Sequence, residues 1–302
     1  MATAEPALSK LVVVGVGLIG GSFALALKQA EGVQEVVGVG RDRVNLDAAR
    51  SLGIADRTYT MGERWTAELA DADLVLLATP VGQMAELFAA IAPALGSASV
   101  VSDVGSTKQD VIAAARANLG AALPRFVPGH PIAGAERSGA SAAFPALFRQ
   151  RTVVLTPLAE TAREALARVR SCWLRCGALV QMLDPARHDA ILAAVSHLPH
   201  VLAYAFMAEL SARPDAVELL DHAGSGFRDF TRLAASHPSM WRDICLANRA
   251  ALRRELAIYR AELERIEALI AHGDGDALHA LFERARAARA HWRARSSADA
   301  PD

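Results

Sequence analysis

Short, unbroken apolar runs alternate along the first part of the chain with longer segments in which apolar side chains recur every three or four positions. The short runs are typical of strands buried on both faces of a parallel sheet, and the longer segments are typical of helices. The strand-like runs are residues 11–14, 35–39, 73–80, 98–104, 151–157 and 178–185. This alternation predicts an α/β fold with a doubly wound parallel sheet over residues 9–184.

Beyond residue 184 only the helical period remains, which predicts an all-helical domain over residues 185–295 and a disordered tail over 296–302. Within that domain, residues 188–210 form one predicted helix that is interrupted or restarted near Pro199. Residues 222–238 contain glycines and predict a loop with a short helix.

The longest predicted helix covers residues 239–272, which contain neither glycine nor proline. Pro238 suits its first turn and Gly273 suits its end. Its larger side chains recur mostly at steps of three or four and form one apolar stripe, which comprises Trp241, Cys245, Leu252, Leu256, Tyr259, Leu263, Ile266 and Ile270. Because a small domain alone seldom covers such a stripe, we expect a homodimer formed through the C-terminal helices.

Composition narrows the class of protein. The 302 residues are 52% hydrophobic and 22% charged, so a substantial core is available, and the net charge of −1 gives no preference for nucleic acid or an anionic membrane. The three cysteines lack the spacing of a metal site and are expected to be reduced core thiols. We therefore expect a cytoplasmic protein with no metal, no nucleic-acid partner and no membrane association.

The first strand-to-helix turn carries Gly15, Gly17 and Gly20 in the G-x-G-x-x-G spacing. The first glycine allows a tight turn, the second lets a pyrophosphate approach the backbone, and the third permits close packing of helix on strand. The helix N-terminus then faces the anion. A dinucleotide-binding sheet follows from this context, with further cofactor contacts expected from Leu18, Ile19, Thr79 and Pro80.

The end of the second strand bears on which dinucleotide binds. NAD sites commonly hold the ribose 2′-hydroxyl with an acidic residue there, whereas this chain has Gly40 followed by Arg41. A small residue leaves room for a 2′-phosphate and a guanidinium pairs with it, so NADP is favoured. Asp42 keeps NAD open, because a shift of one residue would restore an acidic partner.

Four polar segments follow the predicted strands or lie in the helical half: GSTK (105–108), GHPIAGAE (129–136), SHLPH (196–200) and GFRDFTR (226–232). Together with GVGLIGGS in the first turn, they resemble the prephenate/arogenate dehydrogenase family, the cyclohexadienyl dehydrogenases, over about residues 10–290. The resemblance implies oxidative decarboxylation of prephenate to 4-hydroxyphenylpyruvate, of arogenate to tyrosine, or of both. Hydride would pass to NAD(P)+, within tyrosine biosynthesis.

The resemblance also assigns roles to individual side chains. His130, which the residue pattern places in an irregular functional loop, is the expected base, because a neutral imidazole titrates close to working pH. Ser106 is expected to orient the ring hydroxyl, with helix capping as its other interpretation. Expected substrate contacts are Arg232 as a carboxylate clamp, His200, Glu136 at the pocket mouth, and His197, which equally suits a structural role.

Two neighbouring features are assigned to structure more than to chemistry. Lys108 is expected to support its loop electrostatically, and His188 with Asp189 is expected to form a structural bond near the domain junction.

Two rival functions stay open on the sequence. A β-hydroxyacid dehydrogenase or imine reductase shares the domain order, but the hydroxyacid enzymes usually use a lysine from the helical half, and residues 187–302 contain none. A catalytically dead nicotinamide-sensing module would bind cofactor without turnover.

Overall fold

The computed structural model describes residues 7–134 and 137–298, the last five of these by backbone only. Six parallel strands form the main sheet in the spatial order β3-β2-β1-β4-β5-β6. The strands are β1 (Leu8–Val14), β2 (Val33–Gly40), β3 (Arg57–Thr60), β4 (Leu74–Leu77), β5 (Val100–Asp103) and β6 (Phe126–Val127). This order reverses between β1 and β4, the point at which such sheets bind dinucleotides.

Helices cover both faces of this sheet, which confirms the doubly wound architecture. They are α1 (Leu18–Gln29), α2 (Arg43–Ser51), α3 (Met84–Ile91), α4 (Gln109–Asn118) and α5 (Arg163–Arg175). On one face Phe23 and Trp173 pack with ring centroids 4.5 Å apart, and on the other Phe88 meets Phe126 at 5.1 Å. The inward-facing valines and leucines of β1 are fully buried between these two layers, as the unbroken apolar run predicts.

A second, three-stranded sheet holds segments that the sequence assigned elsewhere. It contains β7 (Gly129–Pro131), β8 (Thr152–Leu155) and β9 (Leu179–Met182), with β7 antiparallel to β8. The prediction that 151–157 and 178–185 extend the parallel sheet is therefore wrong, as is the prediction of a loop at His130. Pro128 follows the two-residue β6 and lacks an N–H for the ladder, so the chain leaves the first sheet there.

The sequence pattern missed β3, the strand at one edge of the main sheet. Its four residues, RTYT, are half-buried and mostly polar, so no apolar run marks them. Arg57 in this strand forms ion pairs with Glu35 (2.6 Å) and Glu68 (2.7 Å) instead. Tyrosine and threonine favour strands, and that propensity is the signal that could have found it.

The helical half begins with a long helix that contains one wide turn. It consists of α6 (Pro185–Leu192), a π-helical turn (Ala193–His197) and α7 (Leu198–Ser211). The helix thus continues through Pro199 and is not restarted there. Proline has no N–H to bond the carbonyl four residues earlier and its ring crowds that carbonyl, which gives a reason for the widening just before it.

By length and composition alone, this same helix is apolar enough to cross a membrane, with a mean hydropathy of 1.5 over its most apolar window. Buried polar side chains on it, His188, Asp189 and His197, are nevertheless hydrogen bonded to other parts of the chain. Such bonds are typical of a helix inside a folded core.

Five further helices follow α7 within the described residues. They are α8 (Ala216–Asp221), α9 (Ser225–Thr231), α10 (Pro238–Ala247), α11 (Arg249–Ala271) and α12 (Gly275–Ala298), with a 3-10 turn at Arg232–Ala235. The prediction of one continuous helix over 239–272 is wrong, because Asn248 leaves helical geometry and separates α10 from α11. Gly273 ends α11 with a φ of 68°, as expected.

Tertiary contacts divide the chain into two compact units, Met1–Arg249 and Ala250–Asp302. Helices α6 to α10 belong to the same unit as both sheets, so the boundary placed at residue 184 stays a prediction. Helix α12 extends to Ala298, and residues 299–302 of the predicted tail lie outside the described residues. The three cysteines, all among the described residues, form no disulfide, and burial raises the pKa of Cys176 well above its ordinary value.

Candidate active site

In the turn between β1 and α1, Gly15 and Gly20 leave no room for a side chain, whereas Gly17 faces open space. Gly15 has a φ of 101° and donates its N–H to the carbonyl of Val39 at 2.8 Å. A Cβ on Gly15 would collide with the carbonyl of Ala78, and one on Gly20 would collide with the carbonyl of Gly15. A Cβ on Gly17 would meet nothing within 4 Å. The open position lies at the N-terminus of α1, where a pyrophosphate fits.

Residues around this turn also fit a bound dinucleotide. Leu18 and Ile19, the first residues of α1, are half-buried. Thr79 follows β4, and its Oγ1 is buried with no hydrogen-bond partner within the described part of the chain. Such a hydroxyl is satisfied when a polar ligand occupies the neighbouring space. Pro80 is exposed beside it.

At the end of β2 the three predicted specificity residues have different surroundings. A Cβ on Gly40 would lie 3.2 Å from Leu46, so packing alone favours glycine there. Asp42 caps α2, since its Oδ1 accepts the N–H of Val44 at 3.0 Å. Arg41 is exposed and forms no ion pair with any residue in 7–134 or 137–298.

His130 in β7 begins a buried chain of hydrogen bonds. Its Nδ1 lies 2.8 Å from Nε2 of His188 in α6, and Nδ1 of His188 lies 2.8 Å from Oδ1 of Asp189. Only 9% of His130 is exposed and none of His188. Burial lowers the pKa of His130 well below its ordinary value, and the neighbouring His188, Lys108 and His197 add to this shift. His130 is thus a neutral imidazole at physiological pH. The expectation that it titrates close to working pH is therefore not met, although the expected neutral form is.

The carboxylate of Asp189 caps α4 from a helix some 80 residues further along the chain. It accepts the backbone N–H groups of Lys108 and Gln109, each at 2.9 Å. Burial alone would raise the pKa of Asp189, but its hydrogen bonds from His188, Gln109 and Lys108 outweigh that and lower it. The structural bond expected of the His188–Asp189 pair is present, and its connection to His130 was not predicted.

Lys108 is fully buried next to β7, the strand that contains His130. Its Nζ forms an ion pair with Asp103 (2.5 Å) and donates to the carbonyl of Gly129 (2.6 Å). Asp103 in turn accepts the N–H groups of Gly105 and Gly129. This pair fixes the backbone immediately before His130, as expected of a supporting residue, because a buried charge is retained only with such partners.

Ser106 occupies the loop between Asp103 and α4 and is half-buried. It does not cap α4, since that helix has no side-chain cap of its own and receives Asp189 instead. Its hydroxyl is therefore not committed to the helix, and the loop that carries it is fixed to β7 through Lys108.

His197 lies in the π-helical turn and is held by Asn248. Its Nδ1 lies 3.1 Å from Nδ2 of Asn248, which also donates to the carbonyl of Asp189 at 2.7 Å. Burial lowers the pKa of His197 from 6.5 to about 4, and the charge of Asp189 opposes that shift. Its Nε2 is buried and has no protein partner within the described residues. Nothing in the sequence pattern marked Asn248 as its partner.

One turn further along, His200 stacks on Trp241 of α10 with ring centroids 3.6 Å apart and an interplanar angle of 19°. Its Nδ1 donates to the carbonyl of Ser196 at 2.9 Å. Burial lowers the pKa of His200, the bond to Ser196 opposes that shift, and the charge of Arg232 adds to it. The exposed Arg232 therefore lies within electrostatic range of His200, which brings two of the predicted substrate residues together.

Two further expectations concern Glu136 and the absence of a metal site. Glu136, predicted at the pocket mouth, lies outside the described residues. Within residues 7–134 and 137–298, no group of three or more histidine, cysteine, aspartate or glutamate side chains is arranged to hold a metal ion.

Comparisons with known proteins match nearly the whole chain. A model of the prephenate dehydrogenase nucleotide-binding domain matches residues 23–182, and a model of the prephenate dehydrogenase dimerization domain matches residues 184–284. The cyclohexadienyl dehydrogenase of Zymomonas mobilis is 36% identical, covering 92% of this chain and 94% of that protein.

Solved structures agree with this. The prephenate dehydrogenase of Aquifex aeolicus, in complex with hydroxyphenyl propionate and NAD+, superposes with a TM-score of 0.89 at 31% identity, covering 95% of this chain and 99% of that one. The arogenate dehydrogenase of Synechocystis superposes with a TM-score of 0.78 at 29% identity, covering 94% and 99%. On its two matched domains, its fold and its relatives, this chain belongs to the prephenate dehydrogenase family.

Proposed function

We propose that this chain catalyses the NAD(P)-linked oxidative decarboxylation of prephenate, of arogenate or of both, a step of tyrosine biosynthesis. The observation that carries the proposal is His130, a buried neutral imidazole within the range that the nucleotide-binding domain model matches. Relatives named for cyclohexadienyl, prephenate and arogenate substrates support the substrate class.

The chemistry asks little of the protein beyond a base and correct placement. When bound, the nicotinamide supplies the hydride acceptor. His130 accepts the hydrogen bond of the ring hydroxyl and draws on its proton as hydride leaves the same carbon. The bond to the opposite ring carboxylate then breaks, CO2 departs, and its electron pair completes the aromatic ring. The proton returns to the phenol oxygen, so no net proton is consumed.

The remaining residues hold the substrate. Arg232 binds a carboxylate through its guanidinium, and His200, stacked on Trp241, contacts the same molecule. Ser106 orients the ring hydroxyl toward His130, since its hydroxyl is not used as a helix cap. His197, held by Asn248, either contacts substrate or supports the wide turn. The role of Glu136, which lies outside the described residues, stays a prediction.

The direct test follows the absorbance of the reduced nicotinamide with prephenate and with arogenate, each with NADP+ and with NAD+. Turnover of either substrate is the expected result, and the ratios of kcat/KM give the preferred pair. Cofactor binding without turnover of either substrate would refute the proposal and favour a sensing module. Turnover of β-hydroxyacids alone would favour the other dehydrogenase class.

We propose NADP as the preferred cofactor. An exposed Arg41 without an ion pair in the described residues can meet a 2′-phosphate, whereas Asp42 is used as the cap of α2. We also propose a homodimer formed through α11 and α12. The matched dimerization-domain model and exposed apolar side chains on α11, among them Ile258, Leu263 and Ile270, support it.

A further inference from the structure

The hydrogen bonds of the histidine pair determine which nitrogen of His130 carries its proton. Asp189 is an ionised carboxylate and can only accept, so the Nδ1 of His188 must donate to it. In a neutral His188, Nε2 is then an acceptor. The Nδ1 of His130, 2.8 Å away, must therefore donate to that Nε2. This leaves Nε2 of His130 without a proton.

We propose that His188 and Asp189 are positioning residues that hold His130 in the Nδ1–H tautomer, with its Nε2 as the acceptor for the substrate hydroxyl. The inference rests on the proposed function for its catalytic meaning, but the tautomer itself is independent of any substrate. Without His188, the Nδ1–H of His130 has no partner in this bond, and the tautomer with the proton on Nε2, which cannot accept, becomes accessible.

The location of the pair supports this assignment. His188 is fully buried, so water cannot replace it as the partner of His130. Asp189 is held in place by the two backbone N–H groups of residues 108 and 109, independently of His188. The fold thus sets the orientation of both rings. They meet in a T-shaped contact with ring centroids 5.1 Å apart, joined by the hydrogen bond between Nδ1 of His130 and Nε2 of His188.

The first experiment observes the tautomer directly. Two-bond ¹H–¹⁵N correlation spectra of the full-length chain, labelled at its 9 histidines, distinguish protonated from unprotonated ring nitrogens. The His130 signals are assigned by their loss in His130→Asn. We expect a protonated Nδ1 and an unprotonated Nε2 at His130, at neutral pH and without ligand. A proton on Nε2 would overturn the proposal, because it would mean that His188 donates to His130.

The second experiment compares two variants of His188. In His188→Gln the amide oxygen can still accept from Nδ1 of His130, whereas His188→Leu fills similar space without an acceptor. We expect His188→Leu to lower kcat about 10- to 100-fold with KM within about twofold, and His188→Gln to recover most of the loss. His222→Leu, at an exposed histidine, is the matched control and should change neither constant.

Thermal unfolding of each variant separates positioning from folding. Equal loss of kcat in His188→Leu and His188→Gln would contradict the proposal, since a merely structural role predicts no rescue by an acceptor. If His188→Leu does not fold, the spectrum of the unmodified protein and the activity of His188→Gln still decide the question. If the unmodified protein oxidises neither substrate, the proposed function fails while the tautomer measurement stands or falls separately.

Discussion

At the scale of single residues, the site consists of four histidines that differ in their partners. His130 contacts His188, His197 contacts Asn248, and His200 stacks on Trp241. Burial lowers the pKa of His130, His197 and His200, so these three imidazoles are neutral at physiological pH. A cluster of protonated histidines would repel itself and the nearby Lys108.

Replacing His130 by asparagine tests the base. The amide nitrogen of the introduced side chain takes the place of Nδ1 and can still donate to His188, while the acceptor at Nε2 is lost. We expect kcat to fall by about 10²–10⁴-fold with little change in KM, measured by steady-state kinetics with prephenate. An unchanged kcat would remove His130 from the mechanism.

Replacing Arg232 by alanine tests the carboxylate clamp. Loss of a charge-assisted hydrogen bond should raise KM about 10- to 100-fold and change kcat less, in the same assay. Arg228→Ala, an exposed arginine on the preceding helix, is the control and should leave KM unchanged. A normal KM in Arg232→Ala would show that this guanidinium does not bind substrate.

The pH dependence of folding tests the burial of His197. Its folded pKa of about 4 lies below the unfolded value of 6.5, so between these values only the unfolded chain takes up the proton. The free energy of unfolding should therefore fall by about 2 to 3 kcal/mol from this group as pH drops from 6.5 to 4. Denaturant titrations across that range should show a smaller fall in His197→Asn, which keeps an acceptor for Asn248. An identical pH dependence in both proteins would contradict the assignment.

Sequence reasoning at this scale identified side chains better than contacts. His130, His200 and Arg232 were recognised from motifs, and the structure brings the last two within electrostatic range of each other. Their roles stay predictions. His188 was recognised only as half of a local pair, because its bond to His130 joins residues 58 positions apart. Asn248 gave no signal at all, since nothing in a local pattern shows that a helix break will bond a distant imidazole.

At the scale of elements, uniform apolar runs were predicted well and departures from regularity were not. Four buried strands of the main sheet, β1, β2, β4 and β5, match their runs, whereas the polar edge strand β3 and the two-residue β6 were not predicted. The antiparallel strand β7 is only three residues long, too short for a period to be detected. The wide turn before Pro199 and the break at Asn248 depend on tertiary contacts, which a local pattern does not contain.

The residues between β2 and α2 are predicted to determine whether NADP+ or NAD+ is preferred, and this can be tested at Arg41. Arg41→Ala should raise the KM for NADP+ about 10-fold or more and leave the KM for NAD+ within about twofold, because only NADP+ carries the 2′-phosphate. Arg50→Ala, an exposed arginine at the other end of α2, is the matched control. A preference for NAD+ of roughly a hundredfold in the unmodified protein would refute this interpretation of Gly40 and Arg41.

At the scale of the whole molecule, the exposed apolar side chains of α11 predict self-association. Leu263→Asp places a charge on that stripe, where Leu263 is 49% exposed in the single chain. We expect sedimentation at micromolar concentration to show a dimer for the unmodified protein and mostly monomer for Leu263→Asp. Glu267→Gln, a substitution one turn further along, should remain dimeric. A monomeric unmodified protein would exclude this interface.

The capping of α4 by Asp189 has a consequence for building hybrid enzymes from this family. The carboxylate of Asp189 binds the first N–H groups of α4 and also the ring of His188, which contacts His130. Residues 103–130 and 184–200 should therefore be exchanged together, although they are far apart in the sequence. A hybrid that exchanges the chain after residue 184 takes the carboxylate of Asp189 from one parent. The N–H groups of Lys108 and Gln109, which bind that carboxylate, then come from the other parent. Hybrids should work only when donor and recipient both carry an acid at the position of Asp189.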